Sequence, residues 1–109
     1  MSDGWHVIGE APLGDVLITG DHASNRVPAG IDLGIDRALL STHIGWDIGV
    51  AALAHALQAP AYLASVSRLV IDLNRDPDDA GLVPLASDGH DIPGNAGDTS
   101  ARIADYWQP

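Results

Sequence analysis

The chain has 109 residues, of which 46% are hydrophobic, so a small folded domain with one core is expected. Fifteen acidic residues against five basic ones give a formal net charge of -10, which disfavours nucleic-acid binding. The chain has no cysteine, and this excludes disulfides, thiolate metal sites and cysteine nucleophiles.

The first residues contain no basic segment followed by an apolar stretch, as a secretory signal would. No apolar run approaches the ~20 residues that a membrane-spanning helix needs. We therefore expect a cytoplasmic protein that does not bind membranes.

The first predicted element is a buried strand at residues 15–19, a short apolar run that ends before Gly20. Polar residues follow at once, beginning with Asp21 and His22. In open α/β sheets, ligands bind beyond the carboxyl ends of the strands. Residues after this strand are therefore candidates for a functional site.

Apolar residues at spacings of three and four predict a helix over residues 36–57. Gly45 and Gly49 weaken that pattern, so a break near Gly45 or close packing against a neighbour is expected. Pro60 ends the segment.

Two further strands are predicted at residues 61–66 and 68–73, followed by a long ordered loop at 78–99 and a helix from Ser100. The expected fold is α/β, with a mixed, mainly parallel sheet and flanking helices. Residues 15–19 and 69–73 should be neighbouring central strands. Parallel strands end together, so His22 and Arg75 should lie at the same edge of the sheet.

His22 and Asn25 form the first candidate site, because imidazole is the commonest protein ligand of catalytic zinc and a second ligand nearby is usual. The alternative is that both side chains only satisfy backbone groups of a turn. From the residues alone, the turn is favoured.

His43 and Asp47 form the second candidate site, since their spacing places both side chains on one face if the segment is helical. Such a pair would be a ligand with its orienting carboxylate, or a general base. The alternative is a surface ion pair of little energetic value.

Arg68 and Arg75 flank the predicted strand 68–73 and are two of only five cationic residues. A guanidinium group binds carboxylates in a bidentate manner, so one arginine would polarise a carbonyl and the other would anchor an anionic substrate. The alternative is pairing with nearby aspartates. His90, in the loop that follows, would cover the site or supply a polar contact, and a purely structural loop is the alternative.

Together these segments resemble the N-formylglutamate amidohydrolase family, in the family's order and along nearly the whole chain. The matching segments are GDHASNRVP (20–28), HIGWDIG (43–49), SRLVIDLNR (67–75) and LVPLASDGHDIPGN (82–95). The resemblance implies hydrolysis of N-formyl-L-glutamate to glutamate and formate, a reaction that often serves histidine degradation.

That family is similar to the zinc carboxypeptidases and aspartoacylases, which implies a zinc-carboxypeptidase-like, phosphorylase/hydrolase-like fold and bound Zn²⁺ or another divalent metal. His22 matches the first metal ligand, and Asn25 stands where those enzymes have a glutamate. Asp47 or His43 would replace Asn25 if its amide is not a ligand. Arg68 resembles the arginine that polarises the scissile carbonyl.

Asn74 and Arg75 match the pair that binds the substrate carboxylate in those enzymes. Family members are longer than this chain, so residues 1–109 are expected to be the N-terminal part of one amidohydrolase domain. The later histidine ligand and the general base are expected beyond position 109, and the 109 residues alone are expected to be inactive. Alternatives are a hydrolase of another N-acyl amino acid or small peptide, and a non-catalytic carboxylate-binding domain.

Overall fold

Three strands form the main sheet in the computed structural model, which describes residues 4–9, 18–58 and 60–107. They are β1 (Trp5–Ile8), β2 (Ile18–Gly20) and β3 (Ala61–Ala64), and their order in the sheet is β1-β3-β2. β3 is parallel to β2 and antiparallel to β1, so the sheet is mixed, as predicted. Parallel pairing does not predominate among the described strands. The sequence pattern did not predict β1, and residues 15–17 of the first predicted strand lie outside the described residues.

The predicted helix over 36–57 is divided in two. A 3-10 helix spans Arg37–Ser41, and helix α1 spans Val50–Leu57. Between them the backbone turns at Gly45, where an added Cβ would lie only 2.6 Å from the carbonyl oxygen of Leu40. The break expected near Gly45 is therefore present, because no other residue fits so close to that carbonyl.

Helix α1 connects the parallel strands β2 and β3 and packs against β2. Its contact with the sheet includes the small buried side chains of Ala54 in the helix and Ala61 in β3, together with the larger Leu63 of β3. These residues bring the helix close to the sheet. The result is a β-α-β unit whose two strands end at the same edge.

The prediction of a strand at residues 68–73 is wrong, and the central neighbour of β2 is β3 instead. Backbone hydrogen bonds to Ser67 fold this segment into turns. The carbonyl of Ser67 accepts from the N–H groups of Val70 (2.9 Å) and Ile71 (3.3 Å). Its hydroxyl donates to the carbonyl of Gly45 (2.7 Å) and accepts from the N–H of Leu69 (3.2 Å). Leu69, Val70 and Ile71 are nevertheless fully buried. They form the centre of the main core, which comprises Leu33, Ile44, Val66, Leu69, Val70, Ile71, Leu82 and Ile92.

The long loop at 78–99 contains a small hairpin and a 3-10 turn. Strands β4 (Ala86–Ser87) and β5 (His90–Asp91) pair antiparallel through Asp88 and Gly89, which both have positive φ, as a tight two-residue hairpin requires. The 3-10 turn spans Pro93–Asn95. Asp-Gly between two strands is the local signal of such a hairpin.

Helix α2 (Ser100–Tyr106) begins at the predicted residue. Ile103, Tyr106 and Trp107 pack against the main core, so this end of the chain presents apolar side chains to it. Among the described residues, no helix is long and apolar enough to cross a membrane.

Asn95 connects the buried turn at 67–71 to α2. Its amide nitrogen donates to the carbonyls of Leu69 (2.8 Å) and Pro84 (2.7 Å), and its oxygen accepts from Arg102. Arg102 also donates to the carbonyl of Val70 at 3.1 Å. A buried turn without a strand partner thus has its carbonyls paired by side chains.

Asn95→Ala is expected to lower the free energy of unfolding by ~2–4 kcal/mol, because two buried carbonyls lose their donor and Arg102 loses its acceptor. Urea denaturation followed by circular dichroism measures this change. Asn74→Ala is the control, since that side chain is exposed, and should change stability by less than about 0.5 kcal/mol. Equal losses in the two variants would contradict the structural role of Asn95.

Candidate active site

Polar residues collect beyond the carboxyl ends of β2 and β3. Asp21 and His22 directly follow β2, and Asp72 lies in the turns that follow β3. Because the two strands are parallel, both segments leave the sheet at the same edge. The 42–49 turn reaches the same place, since the N–H of Asp47 donates to the carbonyl of His22 at 2.8 Å.

His22 lies between two carboxylates. Its Nε2 is 2.6 Å from Oδ1 of Asp72, a short hydrogen bond, and its Nδ1 is 3.4 Å from Oδ2 of Asp47. The side chains of His22 and Asp72 are each only 13% exposed, whereas that of Asp47 is 47% exposed. The imidazole is therefore held firmly on one side and faces a solvent-accessible carboxylate on the other.

An arginine lies at each end of this chain of charges. Nη2 of Arg68 donates to Oδ1 of Asp47 and to the carbonyl of His43 (2.8 Å). Nε of Arg75 is 3.7 Å from Oδ2 of Asp72. We call Arg68, Asp47, His22, Asp72 and Arg75 the His22 cluster.

The charged forms of His22 and Asp72 stabilise each other. The hydrogen bond to Asp72 raises the pKa of His22 above 6.5, against the opposing effect of burial. Burial alone would raise the pKa of Asp72, but hydrogen bonds from His22 and from the N–H of Asn74 outweigh it and hold that pKa below 3.8. Burial raises the pKa of the neighbouring Asp21. The contact between the two side chains thus favours the imidazolium form of His22 and the carboxylate form of Asp72.

This pair should make stability depend on pH. A raised pKa of His22 contributes stability that is complete below 6.5 and is lost as the pH rises through the folded-state value. The lowered pKa of Asp72 contributes stability above 3.8 that is lost in acid. Both contributions are present between these values.

The metal-free protein should therefore lose stability between about pH 6 and about pH 9, and Asp72→Asn should lose less over the same interval. Urea denaturation at both pH values measures the difference. The same pH dependence in both proteins would show that the pair contributes nothing.

The predicted pairing of His43 with Asp47 is wrong, because residues 42–49 are not helical. His43 is largely exposed, and its Nε2 is 3.1 Å from Oδ2 of Asp88 instead. Asp47 turns the other way, toward His22 and Arg68. The structure therefore brings only Asp47 of this pair into the cluster.

The remaining predicted site residues lie around the cluster. The amide nitrogen of Asn25 donates to the carbonyl of Leu40 (3.1 Å), a backbone group of the 3-10 helix. Asn74 is adjacent through its backbone N–H, which donates to Asp72, while its side chain is exposed. His90 is exposed on β5, and its side chain forms no hydrogen bond or ion pair with the described residues.

Sequence reasoning considered Asp72 only as a possible partner of an arginine. The signal was its position inside the apolar run RLVIDL, since a carboxylate buried among aliphatic residues requires a partner. That partner, His22, is 50 residues away.

A separate concavity of about 900 Å³ is formed by residues 25–41 and contains Arg26 and Arg37. Its lining includes no histidine and only one carboxylate, Asp32. Among the described residues, the His22 cluster therefore remains the better candidate for catalysis.

Comparisons with known proteins agree with the sequence pattern. The family model described as N-formylglutamate amidohydrolase matches residues 14–109. The crystal structure of gene product Atu2144 from Agrobacterium tumefaciens is similar, with 35% sequence identity and a TM-score of 0.87 over 95% of this chain. The match covers 45% of that chain, so the present chain spans less than half of its length. A search of curated proteins found no match. The chain belongs to the N-formylglutamate amidohydrolase family.

Proposed function

We propose that the protein hydrolyses the amide bond of N-formyl-L-glutamate, releasing glutamate and formate, with Zn²⁺ or another divalent metal as cofactor. The observation that carries the proposal is the His22 cluster, which combines an oriented imidazole with two guanidinium groups at one edge of the sheet. Metal-dependent hydrolysis of an anionic amide can use all three: a metal ligand, a cation for the carbonyl oxygen, and a cation for the substrate carboxylate.

His22 is the residue that would hold the metal in this proposal. Asp72 occupies Nε2, which leaves Nδ1 as the nitrogen for coordination. A metal-bound histidine usually donates its other ring N–H to a carboxylate in this way. Bound zinc would supply polarisation and a lowered pKa of water, toward ~7.

The described residues contain no group of three or more histidine, aspartate or glutamate side chains arranged to hold a metal. We propose that a further histidine ligand and the general base come from outside residues 1–109, since the chain covers 45% of the length of the similar Agrobacterium protein. The proposal therefore concerns a protein that carries these residues, with 1–109 as the N-terminal part of its domain. We propose a zinc-carboxypeptidase-like fold for that domain, supported by a metal-ligand histidine directly after a parallel strand.

Arg75 and Asn74 would bind a carboxylate of the substrate. The Arg75 side chain is 52% exposed, and its contacts with Asp72 (3.7 Å) and Asp79 (3.8 Å) are longer than hydrogen bonds. Its guanidinium group is thus available to a stronger, bidentate partner.

Arg68 would stabilise the negative charge that develops on the formyl oxygen. Its Nη2 is fixed by Asp47 and by the carbonyl of His43, which holds the guanidinium group beside His22. A donor that is fixed before the reaction does not need to reorganise during it.

The assay is the release of formate and glutamate from N-formyl-L-glutamate by the full-length protein with added zinc. We expect turnover that a chelator abolishes and that zinc restores. N-acetyl-L-glutamate and a small dipeptide test the alternative substrate classes, and turnover of one of these in preference to the formyl compound would overturn the substrate assignment. Carboxylate binding without turnover of any of them would identify a non-catalytic binding domain.

A further inference from the structure

We infer that Asp47 is the second metal ligand, coordinating through Oδ2 beside Nδ1 of His22. This inference rests on the proposed function for the presence of a metal. The inference concerns which residues of this chain bind the metal. It assigns the second ligand, for which Asn25 is a poor candidate.

The separation of the two atoms supports this assignment. Nδ1 of His22 and Oδ2 of Asp47 are 3.4 Å apart, which is long for a hydrogen bond between an imidazole and a carboxylate. Zinc binds nitrogen and carboxylate oxygen at about 2.0–2.2 Å, and a tetrahedral angle of about 109° then places the two ligand atoms roughly 3.4 Å apart. The observed separation therefore equals the spacing of two ligands on one zinc ion.

Each proposed ligand residue is held by a hydrogen bond at the polar atom that would not bind the metal. Asp72 accepts the Nε2 proton of His22, so Nδ1, once it has lost its own proton, is the ring nitrogen that can bind a metal. Arg68 binds Oδ1 of Asp47, so Oδ2 is the free carboxylate oxygen. The backbone hydrogen bond from Asp47 to the carbonyl of His22 (2.8 Å) fixes the two residues relative to each other. Such supports are what a metal site requires for its ligands to keep their geometry.

The competing ligands are engaged elsewhere. The amide nitrogen of Asn25 donates to the carbonyl of Leu40, which ties this side chain to the 3-10 helix Arg37–Ser41. His43 is at the surface beside Asp88. A carboxylate is also a better zinc ligand than a neutral amide, since zinc is found with histidine, cysteine and acidic side chains.

Calorimetric titration of zinc into the metal-free protein tests the assignment. Asp47→Ala and Asp47→Asn should each weaken zinc binding by about tenfold or more, which is the scale of losing a ligand or its support. Asp88→Ala is the matched control, because it removes an aspartate paired with a histidine at the surface, and it should leave the affinity within about twofold. Asn25→Ala should also have little effect. Circular dichroism confirms that each variant is folded.

The ring nitrogens of His22 give a second measurement that does not depend on activity. In ¹⁵N-labelled protein, zinc should shift the resonance of Nδ1 to that of a coordinated nitrogen, while Nε2 stays protonated toward Asp72. A zinc-induced change at Nε2, unchanged zinc affinity in both Asp47 variants, or failure of the wild-type protein to bind zinc would overturn the inference.

If Asp47 variants bind zinc normally and the protein hydrolyses formylglutamate, only the ligand assignment fails. If zinc binding requires Asp47 but no substrate is turned over, only the proposed function fails.

Discussion

Arg68→Ala is expected to lower the kcat for N-formyl-L-glutamate hydrolysis by about 10²–10³-fold with little change in KM, the scale of losing one oxyanion donor. The carbonyl oxygen becomes fully negative only in the transition state, so a cation beside it stabilises that state more than the bound substrate. Steady-state kinetics of wild-type and variant proteins at saturating zinc separate the two constants.

Arg68 also holds Asp47, so the kinetic experiment needs a measurement of metal content. If Arg68→Ala retains zinc and loses kcat, the oxyanion role is supported. Arg26→Ala is the control, because that arginine lies outside the cluster and its Nε donates to the carbonyl of Ser65. A rise in KM with unchanged kcat in Arg68→Ala would contradict the role and would exchange it with that of Arg75.

The sequence predicted those elements whose causes are local. The run predicted as a strand at 61–66 forms β3 over Ala61–Ala64, the segment from Ser100 forms α2, and Gly45 interrupts the helical pattern. In each case the backbone preference of the residues, or the spacing of apolar residues in the segment, is enough to predict the structure. The strand predicted at 68–73 failed for the opposite reason: a short apolar run shows that a segment is buried, but not whether its N–H groups bond to a strand or to Ser67.

The composition of the site depended on contacts that are distant in sequence. The spacing of His43 and Asp47 suggested a local pair, but a pattern of four residues has meaning only if the segment is a helix. The observed partners of His22 are 25 and 50 residues away, and they meet because two parallel strands end at one edge. Only the general rule for α/β sheets, applied to residues after β2, predicted that this edge would carry the site.

A chain with net charge -10 can still bind an anionic substrate, because the field in a site is set by the nearest charges. Arg68 and Arg75 differ in how tightly they are held. Arg68 forms a hydrogen-bonded ion pair with Asp47, whereas Arg75 has only long contacts with Asp72 and Asp79. The more loosely held cation is the better anchor for an incoming carboxylate, since it breaks no short hydrogen bond to bind it.

Arg75→Ala is therefore expected to raise KM by about 10–100-fold with kcat changed only slightly, because hydrogen bonds to charged groups contribute ~1.5–3 kcal/mol. A carboxylate anchor contacts the substrate equally before and during the reaction, so its loss weakens binding without changing the chemical step. Arg75→Lys keeps the charge but loses the bidentate fork, and its KM should lie between those of wild type and Arg75→Ala. Arg37→Ala controls for net charge, since the side chain of that arginine forms no hydrogen bond or ion pair with the described residues. If Arg37→Ala raised KM as much as Arg75→Ala does, the effect would come from the overall field, and the substrate carboxylate would not be bound by Arg75.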